Sequence, residues 1–422
     1  MLASKACWRA KRQLLLIKKQ DPGPNEIAIS ESSRHLRRLL RDDARPRATM
    51  MLRSILASLL PIVVQSGRFG CSDFEVPPAP GDNVRDLHPG HVGYVMAMGD
   101  SITAAFAARS TLLEARDISW SIGVGKEDQL TLPYMISQFS SNVSGMSTKA
   151  VVPVLVPGLP KHDYHPKTDH LNVAESSGAV HRGSMIEQWG YLSSAIKDEK
   201  AYPGFGESWK VLTVWMTAND VCGAGHECQH AIDDHDIKHW IEGYDTLLTN
   251  VSKTMRRVYV NLVSTLDLSS VHRIQQESGL FCKFEHGVVL RECGCIDRGN
   301  KTELQTLDDN VHTLNTQLHK LAAKWHTQLA NQGRTDMAVT VQGFMEGVGK
   351  QLDHTFLNKI DCFHPSTVGH QDLAVGLWNN MLCTSDRKGH CGQPFKPDLP
   401  VTCPTKDSRF YSGIDVVPSP PM

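Results

Sequence analysis

The sequence predicts an α/β fold, a three-layer α/β/α sandwich with a central, mostly parallel sheet. Four short apolar runs of the kind that form buried strands alternate with longer segments whose apolar residues recur at helical spacing. This alternation is typical of a parallel sheet that is covered by helices on both faces. A chain of 422 residues with 41% hydrophobic composition can bury a large core, and neither an internal repeat nor a second hydrophobic core is visible in it.

The predicted strands are short and apolar, and they cover residues 94–98, 211–216, 258–262 and 337–341. Gly99 ends the first strand, and the Ala- and Leu-rich segment that follows, residues 104–116, predicts a helix. Longer helices are predicted over residues 237–255, 303–329 and 365–382. The first two of these carry apolar side chains three and four positions apart, as a helix with one buried face requires.

Two polar residues fall just beyond strand ends, Ser101 after the first predicted strand and Asn219 after the second. The carboxyl ends of parallel strands form the edge of an open α/β sheet at which ligands collect. Backbone N–H groups also point outward where a helix begins, as we expect it to do near Ser101. The sequence therefore predicts a functional site at this edge of the sheet.

The amino-terminal segment, residues 1–66, differs from the rest of the chain because it is rich in Lys and Arg and poor in aromatic residues. Met51 opens its last part, in which an apolar run at residues 55–64 is followed by Ser66, a small residue that suits cleavage. This pattern is typical of a secretory signal peptide. The run is shorter than the roughly 20 apolar residues that span a bilayer, so an uncleaved anchor is the less favoured alternative.

Composition divides the remainder into three parts. Residues 67–90 form a proline-rich approach, residues 91–384 hold the alternating strands and helices of the folded domain, and residues 385–422 form a polar tail that contains cysteines. With 44 Lys and Arg against 45 Asp and Glu, the net charge of -1 gives no reason to expect a nucleic-acid partner.

The cysteines fit an oxidising compartment, because ten of the 11 remain when Cys7 of the leader is set aside, enough for up to five disulfides. Cys222 and Cys228 are close enough in sequence to close a local loop, and Cys383 is similarly close to Cys391 or Cys403. Acceptor motifs for glycans on a secreted protein begin at Asn142, Asn250 and Asn300.

Three separated motifs carry the chemistry: Gly99-Asp100-Ser101-Ile102-Thr103, Thr217-Ala218-Asn219-Asp220 and Asp361-Cys362-Phe363-His364-Pro365. A serine hydroxyl becomes a strong nucleophile when a histidine takes its proton, and a carboxylate holds that histidine in the right orientation. Ser101, His364 and Asp361 supply these groups. Because Asp361 and His364 are three residues apart, their side chains can face the same way on one turn. The combination predicts ester hydrolysis.

Acyl transfer also requires fixed donors for the developing oxyanion. The backbone N–H of Ser101, the side-chain amide of Asn219 and a glycine N–H are the candidates. Asp220 is predicted to be structural, since its carboxylate can accept backbone N–H groups at the turn. Each motif alone also occurs in ordinary turns and helix caps, so the prediction rests on all three together.

These motifs resemble the sequence blocks of the SGNH, or GDSL-type, serine hydrolases, and the sequence around them resembles the animal phospholipase B-like members. The resemblance runs from residue 94 to residue 382, and its further segments are residues 118–123, 131–133, 259–264 and 293–295. It implies a flavodoxin-like α/β/α fold. It also implies a lipase or phospholipase that needs no metal or cofactor, cleaves fatty-acyl esters of glycerophospholipids and lysophospholipids, and touches a membrane or micelle transiently.

By the same resemblance, Ser101 is the nucleophile, His364 the base, Asp361 the orienting acid and Asn219 the side-chain donor. The chain departs from the family pattern at two places. The loop that supplies the glycine donor is one residue longer, so Gly178 is the predicted donor and Ser177 the alternative. A threonine, Thr217, stands where the family has glycine; if that position needs a positive φ, the Asn219 donor would be displaced.

Three other hypotheses compete with that of a phospholipid esterase. Cys222, Cys228 and the histidines at 226, 230, 235 and 239 could suggest zinc, although a secreted chain would oxidise the two cysteines. The site could instead hydrolyse a non-lipid ester, such as an acylated sugar. The departures near Gly178 and at Thr217 leave open a catalytically weak, hydrolase-shaped binding protein. A Gly-x-Ser-x-Gly elbow is missing around Ser101, which argues against the α/β-hydrolases.

Overall fold

A computed structural model describes residues 70–71, 75–79, 81–153, 164–222, 228, 230–278, 282, 292–383 and 395–413. The predicted leader and signal peptide, residues 1–66, lie outside the described residues. Among the described residues, no helix has both the length and the apolar character needed to cross a membrane.

Four parallel strands lie side by side in chain order: β1 Val92–Gly99, β2 Trp209–Trp215, β3 Val258–Val263 and β4 Met337–Gln342. All four predicted strands are confirmed, each to within two residues at both ends. Every residue of β2, β3 and β4 is buried, which explains why these strands are nearly continuous apolar runs rather than alternating ones.

The helices of the described residues are α1 Ser101–Ala104, α2 Leu132–Ser137, α3 Pro166–Asp169, α4 Ser184–Ala195, α5 Ala218–Cys222, α6 Asp234–Thr254, α7 Ser269–Glu277, α8 Gly294–Arg298, α9 Lys301–Asn331 and α10 Thr367–Met381. Single turns of 3-10 helix span Val84–Asp86, Pro89–His91, Arg116–Ile118, Val180–Arg182 and Gly349–Gln351. The three long predicted helices correspond to α6, α9 and α10.

Helices cover both faces of the sheet, as predicted for a mixed α/β fold. On one side α6 packs against α4 and α9, and on the other α2 packs against α10. Helix α6 buries its predicted apolar face, which consists of Trp240, Tyr244, Leu247, Leu248 and Val251. Helix α9 begins at the cap residue Asn300, whose side-chain oxygen accepts the N–H groups of Thr302 and Glu303.

The prediction of a helix over residues 104–116 is wrong. Helix α1 ends at Ala104, and Ala105 and Ala107 both adopt left-handed backbone conformations, with φ of 58° and 55°. The Ala105 carbonyl accepts the N–H of Ala115, and the N–H of Glu114 donates to Val151 in a neighbouring segment. The backbone therefore bonds to distant segments instead of to its own next turn, so tertiary contacts override the local helix propensity.

The structure confirms extensive disulfide bonding, but two of the local pairings suggested by sequence, Cys222–Cys228 and Cys383–Cys403, are wrong. The bridges join Cys71 to Cys403, Cys222 to Cys293, Cys228 to Cys295 and Cys282 to Cys362. Cys222 therefore does not pair with Cys228, nor Cys383 with Cys403. Cys383 is itself disulfide-bonded, and its other predicted partner, Cys391, lies outside the described residues. Pairing follows which cysteines the fold brings together, which sequence separation does not reveal.

Residues 395–413 of the predicted tail pack against the domain. The N–H of Tyr411 donates to Met381 at 2.9 Å and that of Phe410 donates to Leu87 at 2.9 Å. The Cys71–Cys403 bridge links this segment to the proline-rich approach. The predicted division into residues 67–90, 91–384 and 385–422 stays a prediction.

The three predicted glycan acceptors occupy different settings. Asn142 is exposed in a turn, and Asn300 is exposed at the start of α9, where its oxygen caps the helix. Asn250 is half-buried inside α6. Glycosylation at these positions stays a prediction.

Candidate active site

Ser101 lies where β1 turns into α1. Asp100 caps the short helix, its Oδ1 accepting the N–H of Ile102 at 2.9 Å, and Ser101 is the first helical residue. The N–H of a first helical residue has no partner within its helix, so it is available to a ligand. Gly99 is required before this turn because a Cβ there would lie 2.5 Å from Thr103 Oγ1 and 2.7 Å from the Trp215 carbonyl oxygen.

The structure brings Ser101, His364 and Asp361 together although 263 residues separate the serine from the histidine. The Nε2 of His364 lies 2.7 Å from Ser101 Oγ, and its Nδ1 lies 3.0 Å from Asp361 Oδ2. All three side chains are buried, with residue exposures of 8% for Ser101, 5% for His364 and 0% for Asp361. This is the geometry in which a histidine can take a serine proton while a carboxylate fixes the other ring nitrogen.

The Asp361 carboxylate is held by its own loop. Its Oδ1 accepts the N–H groups of Phe363 at 2.8 Å and His364 at 3.0 Å, which leaves Oδ2 for the imidazole. Asn358 adds a third donor, because its Nδ2 lies 2.7 Å from Asp361 Oδ1 and 3.0 Å from the His364 carbonyl oxygen. Asn358 was not among the residues predicted from sequence; an asparagine three residues before the acid was the available signal.

Negative charge dominates the surroundings of His364. Burial alone would lower its pKa, but the carboxylates of Asp361, Glu292 and Asp100 outweigh that effect and raise the pKa to about 9. The positive charge of His364 and its hydrogen bond lower the pKa of Asp361, against the opposite effect of burial. Burial raises the pKa of Asp100 to about 7. The imidazolium formed during proton transfer is therefore strongly stabilised here.

Asn219 lies on α5, beyond the end of β2, and its Nδ2 donates to the Gly178 carbonyl oxygen at 3.0 Å. An amide nitrogen carries two protons, so this bond leaves one for a ligand. The N–H of Gly178, the predicted third oxyanion donor, donates to Glu175 at 2.9 Å in a turn where the alternative residue, Ser177, has a φ of 65°. In this conformation the Gly178 N–H is committed to its own turn.

Gly178 nevertheless has a structural reason to be glycine. A Cβ there would lie 2.9 Å from the Glu175 carbonyl oxygen and 3.1 Å from that of Gly99, so the loop packs against the end of β1. Gln188 of α4 fixes the same point, accepting the Gly99 N–H at 2.9 Å and donating to its carbonyl oxygen at 2.7 Å. Gln188 was not predicted from sequence, since only the fold places it beside Gly99.

The prediction that Asp220 accepts backbone N–H groups is confirmed, although the donors belong to another loop. They are the N–H groups of Val180 at 3.1 Å and His181 at 3.0 Å, and the His181 Nδ1 adds a contact at 2.9 Å. Because Asn219 binds Gly178, neighbouring residues of α5 hold both ends of this loop.

Thr217 does not adopt a positive φ; it is not among the non-glycine residues of the described chain that do so. The β-branched side chain of Thr217 therefore causes no backbone strain at this turn. Its side chain is buried and contacts the hydroxyl of Tyr244, which in turn donates to the Met216 carbonyl oxygen at 3.0 Å. Threonine is accommodated by packing against α6.

Neither Cys222 nor Cys228 can ligate zinc as a thiolate, because both are in disulfides. Two groups of acidic and histidine side chains in the described part of the chain are close enough to share a cation: an exposed group of Asp233, His235 and Asp236, and Glu292 with Asp361 and His364. His226 lies outside the described residues.

A buried serine, histidine and aspartate in hydrogen-bonded sequence at the carboxyl edge of a parallel sheet define the site of a serine hydrolase. The family model described as GDSL-like Lipase/Acylhydrolase matches residues 95–376. The chain belongs to this family, whose members are serine ester hydrolases. The resemblance and enzyme class predicted from sequence are thereby confirmed.

The chain is also similar to individual curated proteins. The chain is 28% identical over 344 residues to mouse "Phospholipase B1, membrane-associated", an alignment that covers 78% of this chain and 21% of the mouse protein. For the human protein of the same name the identity is 28% over 359 residues, covering 81% and 22%. The chain spans about a fifth of the length of these curated relatives.

Solved structures are also similar to the chain. Phospholipase A1 from Streptomyces albidoflavus aligns with a TM-score of 0.32 and 12% identity, covering 67% of this chain and 96% of that one. An extracellular lipase from Streptomyces rimosus aligns with a TM-score of 0.32 and 12% identity, covering 66% and 94%.

Proposed function

We propose that the chain is a secreted lipase that hydrolyses fatty-acyl esters of glycerophospholipids and lysophospholipids through a covalent acyl-enzyme. The observation that carries the proposal is the 2.7 Å contact between Ser101 Oγ and His364 Nε2, with Asp361 on the far side of the imidazole. Family membership and the relatives named phospholipase B1 support lipid esters as the substrate class.

In the first half-reaction, Ser101 Oγ attacks the ester carbonyl carbon and its proton passes to His364 Nε2. A new C–O bond forms, and the carbonyl oxygen takes the electron pair as an oxyanion. When this intermediate collapses, the bond to the glycerol oxygen breaks and His364 Nε2 returns the proton to the leaving alcohol. The negative charge of Asp361 favours the imidazolium at both transfers.

In the second half-reaction, water attacks the acyl-Ser101 ester while His364 Nε2 takes its proton. Collapse releases the fatty acid, and the proton returns to Ser101 Oγ. The oxyanion of each intermediate would be stabilised by the N–H of Ser101 and the second amide proton of Asn219. Gly178 would contribute its own N–H if its turn opens away from Glu175, and removing one such donor costs about a hundredfold or more in rate.

Four disulfides within the described residues support export to an oxidising compartment. Exposed apolar side chains on segments that bond to the loop before Gly178 support transient contact with a membrane or micelle. Leu112 is 53% exposed and Val152 is 72% exposed, and the bond from Glu114 to Val151 brings their segments together. The Glu114 carboxylate also bonds Ser176, in the loop that precedes Gly178.

A fluorophosphonate probe, which labels activated serines, tests the proposal together with a series of substrates. Wild type should be labelled, and Ser101→Ala, which removes only the hydroxyl, should not be. Release of long-chain fatty acid from lysophosphatidylcholine should accompany the labelling. Equal labelling of wild type and Ser101→Ala would refute the enzyme, and hydrolysis restricted to short p-nitrophenyl esters would refute the phospholipid substrate.

A further inference from the structure

A second carboxylate faces the nitrogen of His364 that Asp361 already contacts. Glu292 Oε1 lies 3.6 Å from His364 Nδ1, while Asp361 Oδ2 lies 3.0 Å from it. A distance of 3.6 Å is too long for a hydrogen bond, so the Glu292 contact is a charge contact at present. A small movement of its side chain would turn it into a bond.

Disulfides hold the Glu292 backbone in this place. The next residue, Cys293, is buried and bonded to Cys222, the last residue of the helix that carries Asn219. A second bridge, between Cys295 and Cys228, follows immediately. The Cys222–Cys293 bridge thus ties the residue after Glu292 to the helix of the proposed oxyanion site. This bridge holds the Glu292 backbone near His364.

Among the described residues, three carboxylates and one histidine, from four different segments, act on His364. Asp361 comes from its own loop, Glu292 from the segment before α8 and Asp100 from the end of β1. From α10 comes His370, which burial keeps neutral by lowering its pKa to about 3. The rings of Phe106 and Phe363 meet the imidazole edge-on, each with centroids 5.1 Å away. His364 is 5% exposed, so a nearby charge acts on it more strongly than it would in water.

We propose that Glu292 is a second acid of this site: a positioning residue that stabilises the His364 imidazolium and accepts a hydrogen bond from its Nδ1–H when Asp361 cannot. The inference rests on the proposed function, because it assigns His364 the role of base. Glu292 does not touch the substrate in this proposal, and its effect passes through the imidazole. A merely structural glutamate would alter stability and leave the titration of the base where it is.

The first test is the pH dependence of kcat/KM with p-nitrophenyl butyrate. The background rate, measured with Ser101→Ala, is subtracted at each pH. Glu292→Gln should move the midpoint of the acid limb down by about 1 pH unit, because an opposite charge is lost within 4–6 Å of the imidazole. At the plateau, kcat should fall about tenfold, because lowering the pKa of His364 by one unit removes a factor of ten in the stability of the imidazolium. Glu292→Asp, which keeps the charge, should stay closer to wild type. Glu277→Gln, on the exposed end of α7, is the matched control and should change neither quantity.

The second test places the same substitution on an Asp361→Asn background. With the first acid gone, Glu292 becomes the carboxylate that faces Nδ1, so Glu292→Gln should now cost about a hundredfold, against about tenfold in wild type. Equal factors in the two backgrounds, or an unchanged midpoint in Glu292→Gln, would overturn the proposal.

The two proposals can fail separately. If wild type neither reacts with the fluorophosphonate nor hydrolyses esters, the proposed function is wrong. The pKa of the His364 ring can then be measured directly by NMR with labelled histidine, the signal being assigned by its loss in His364→Asn. No change in that pKa between wild type and Glu292→Gln would overturn the Glu292 inference even in an inactive protein.

Discussion

Asn358 offers a sharp test of how the acid is held. Its Oδ1 accepts the N–H groups of Ile360 at 2.9 Å and Asp361 at 3.0 Å, and its Nδ2 donates to Asp361 Oδ1 and the His364 carbonyl oxygen. The residue is 2% exposed, so these bonds lie out of reach of bulk water. In Asn358→Ala, the N–H groups of Ile360 and Asp361 would lose this acceptor.

An N–H group left buried without an acceptor costs roughly 1–3 kcal/mol, so two of them, one only partly buried, should cost about 3 kcal/mol of unfolding free energy. The effect on catalysis should be smaller than a complete loss of the acid. Asp361 Oδ1 keeps two of its three donors, the N–H groups of Phe363 and His364. We therefore expect kcat to fall about tenfold, less than the roughly hundredfold cost of a 1 Å misplacement.

Urea unfolding followed by tryptophan fluorescence measures the first quantity, and ester hydrolysis at saturating substrate measures the second. Asn83→Ala is the matched control, because the half-buried Asn83 makes comparable turn bonds that are open to solvent, near Asp86. It should cost less than about 1 kcal/mol and leave kcat unchanged. A loss in Asn358→Ala no larger than in the control, or an unaltered kcat, would refute this account of the loop.

Three further results are expected. Thr217→Gly should not raise kcat and should lower stability by roughly 1–2 kcal/mol in urea unfolding, because glycine loses the Tyr244 contact and adds backbone freedom; a several-fold gain in kcat would contradict this. Because burial lowers the pKa of Lys210 from 10.5 to about 8, the unfolded chain binds its proton more tightly, and this group stabilises the fold as pH rises across that window. The unfolding free energy of wild type minus that of Lys210→Met should therefore rise by roughly 2 kcal/mol between about pH 7.5 and pH 9.5 in urea unfolding; a difference that stays constant would exclude the effect. Finally, since the pKa of His364 is raised to about 9 and the base must be neutral, kcat/KM should rise with pH and level off near that value, whereas a plateau already reached below about pH 7 would contradict it.

The four strands and three long helices were predictable because their signal is local. A strand that is buried on both faces must be apolar throughout, and a helix such as α6 must repeat its buried residues every three or four positions. The segment after Ser101 was not predictable in this way. Its alanines favour a helix, but the left-handed conformations at Ala105 and Ala107 are set by pairing with segments far away in the chain.

The site shows the same division. Ser101, Asp361 and His364 were predicted from motif chemistry, because a serine after a strand end and an aspartate three residues before a histidine together supply the groups that acyl transfer requires. Asn358 and Gln188 carry no such signature, since asparagine and glutamine bond to whatever backbone lies near them. Glu292 could not be found from the sequence at all, as a glutamate becomes a partner of the base only when the fold brings it there.

The sequence by itself determined the order of strands and helices, the three motifs and the family, because periodicity and side-chain chemistry are properties of neighbouring residues. Tertiary structure alone decided the pairing of the cysteines, the turn that engages the Gly178 N–H and the second carboxylate beside His364. These depend on distances between residues far apart in the chain, such as Cys71 and Cys403, and such distances exist only once the chain has folded.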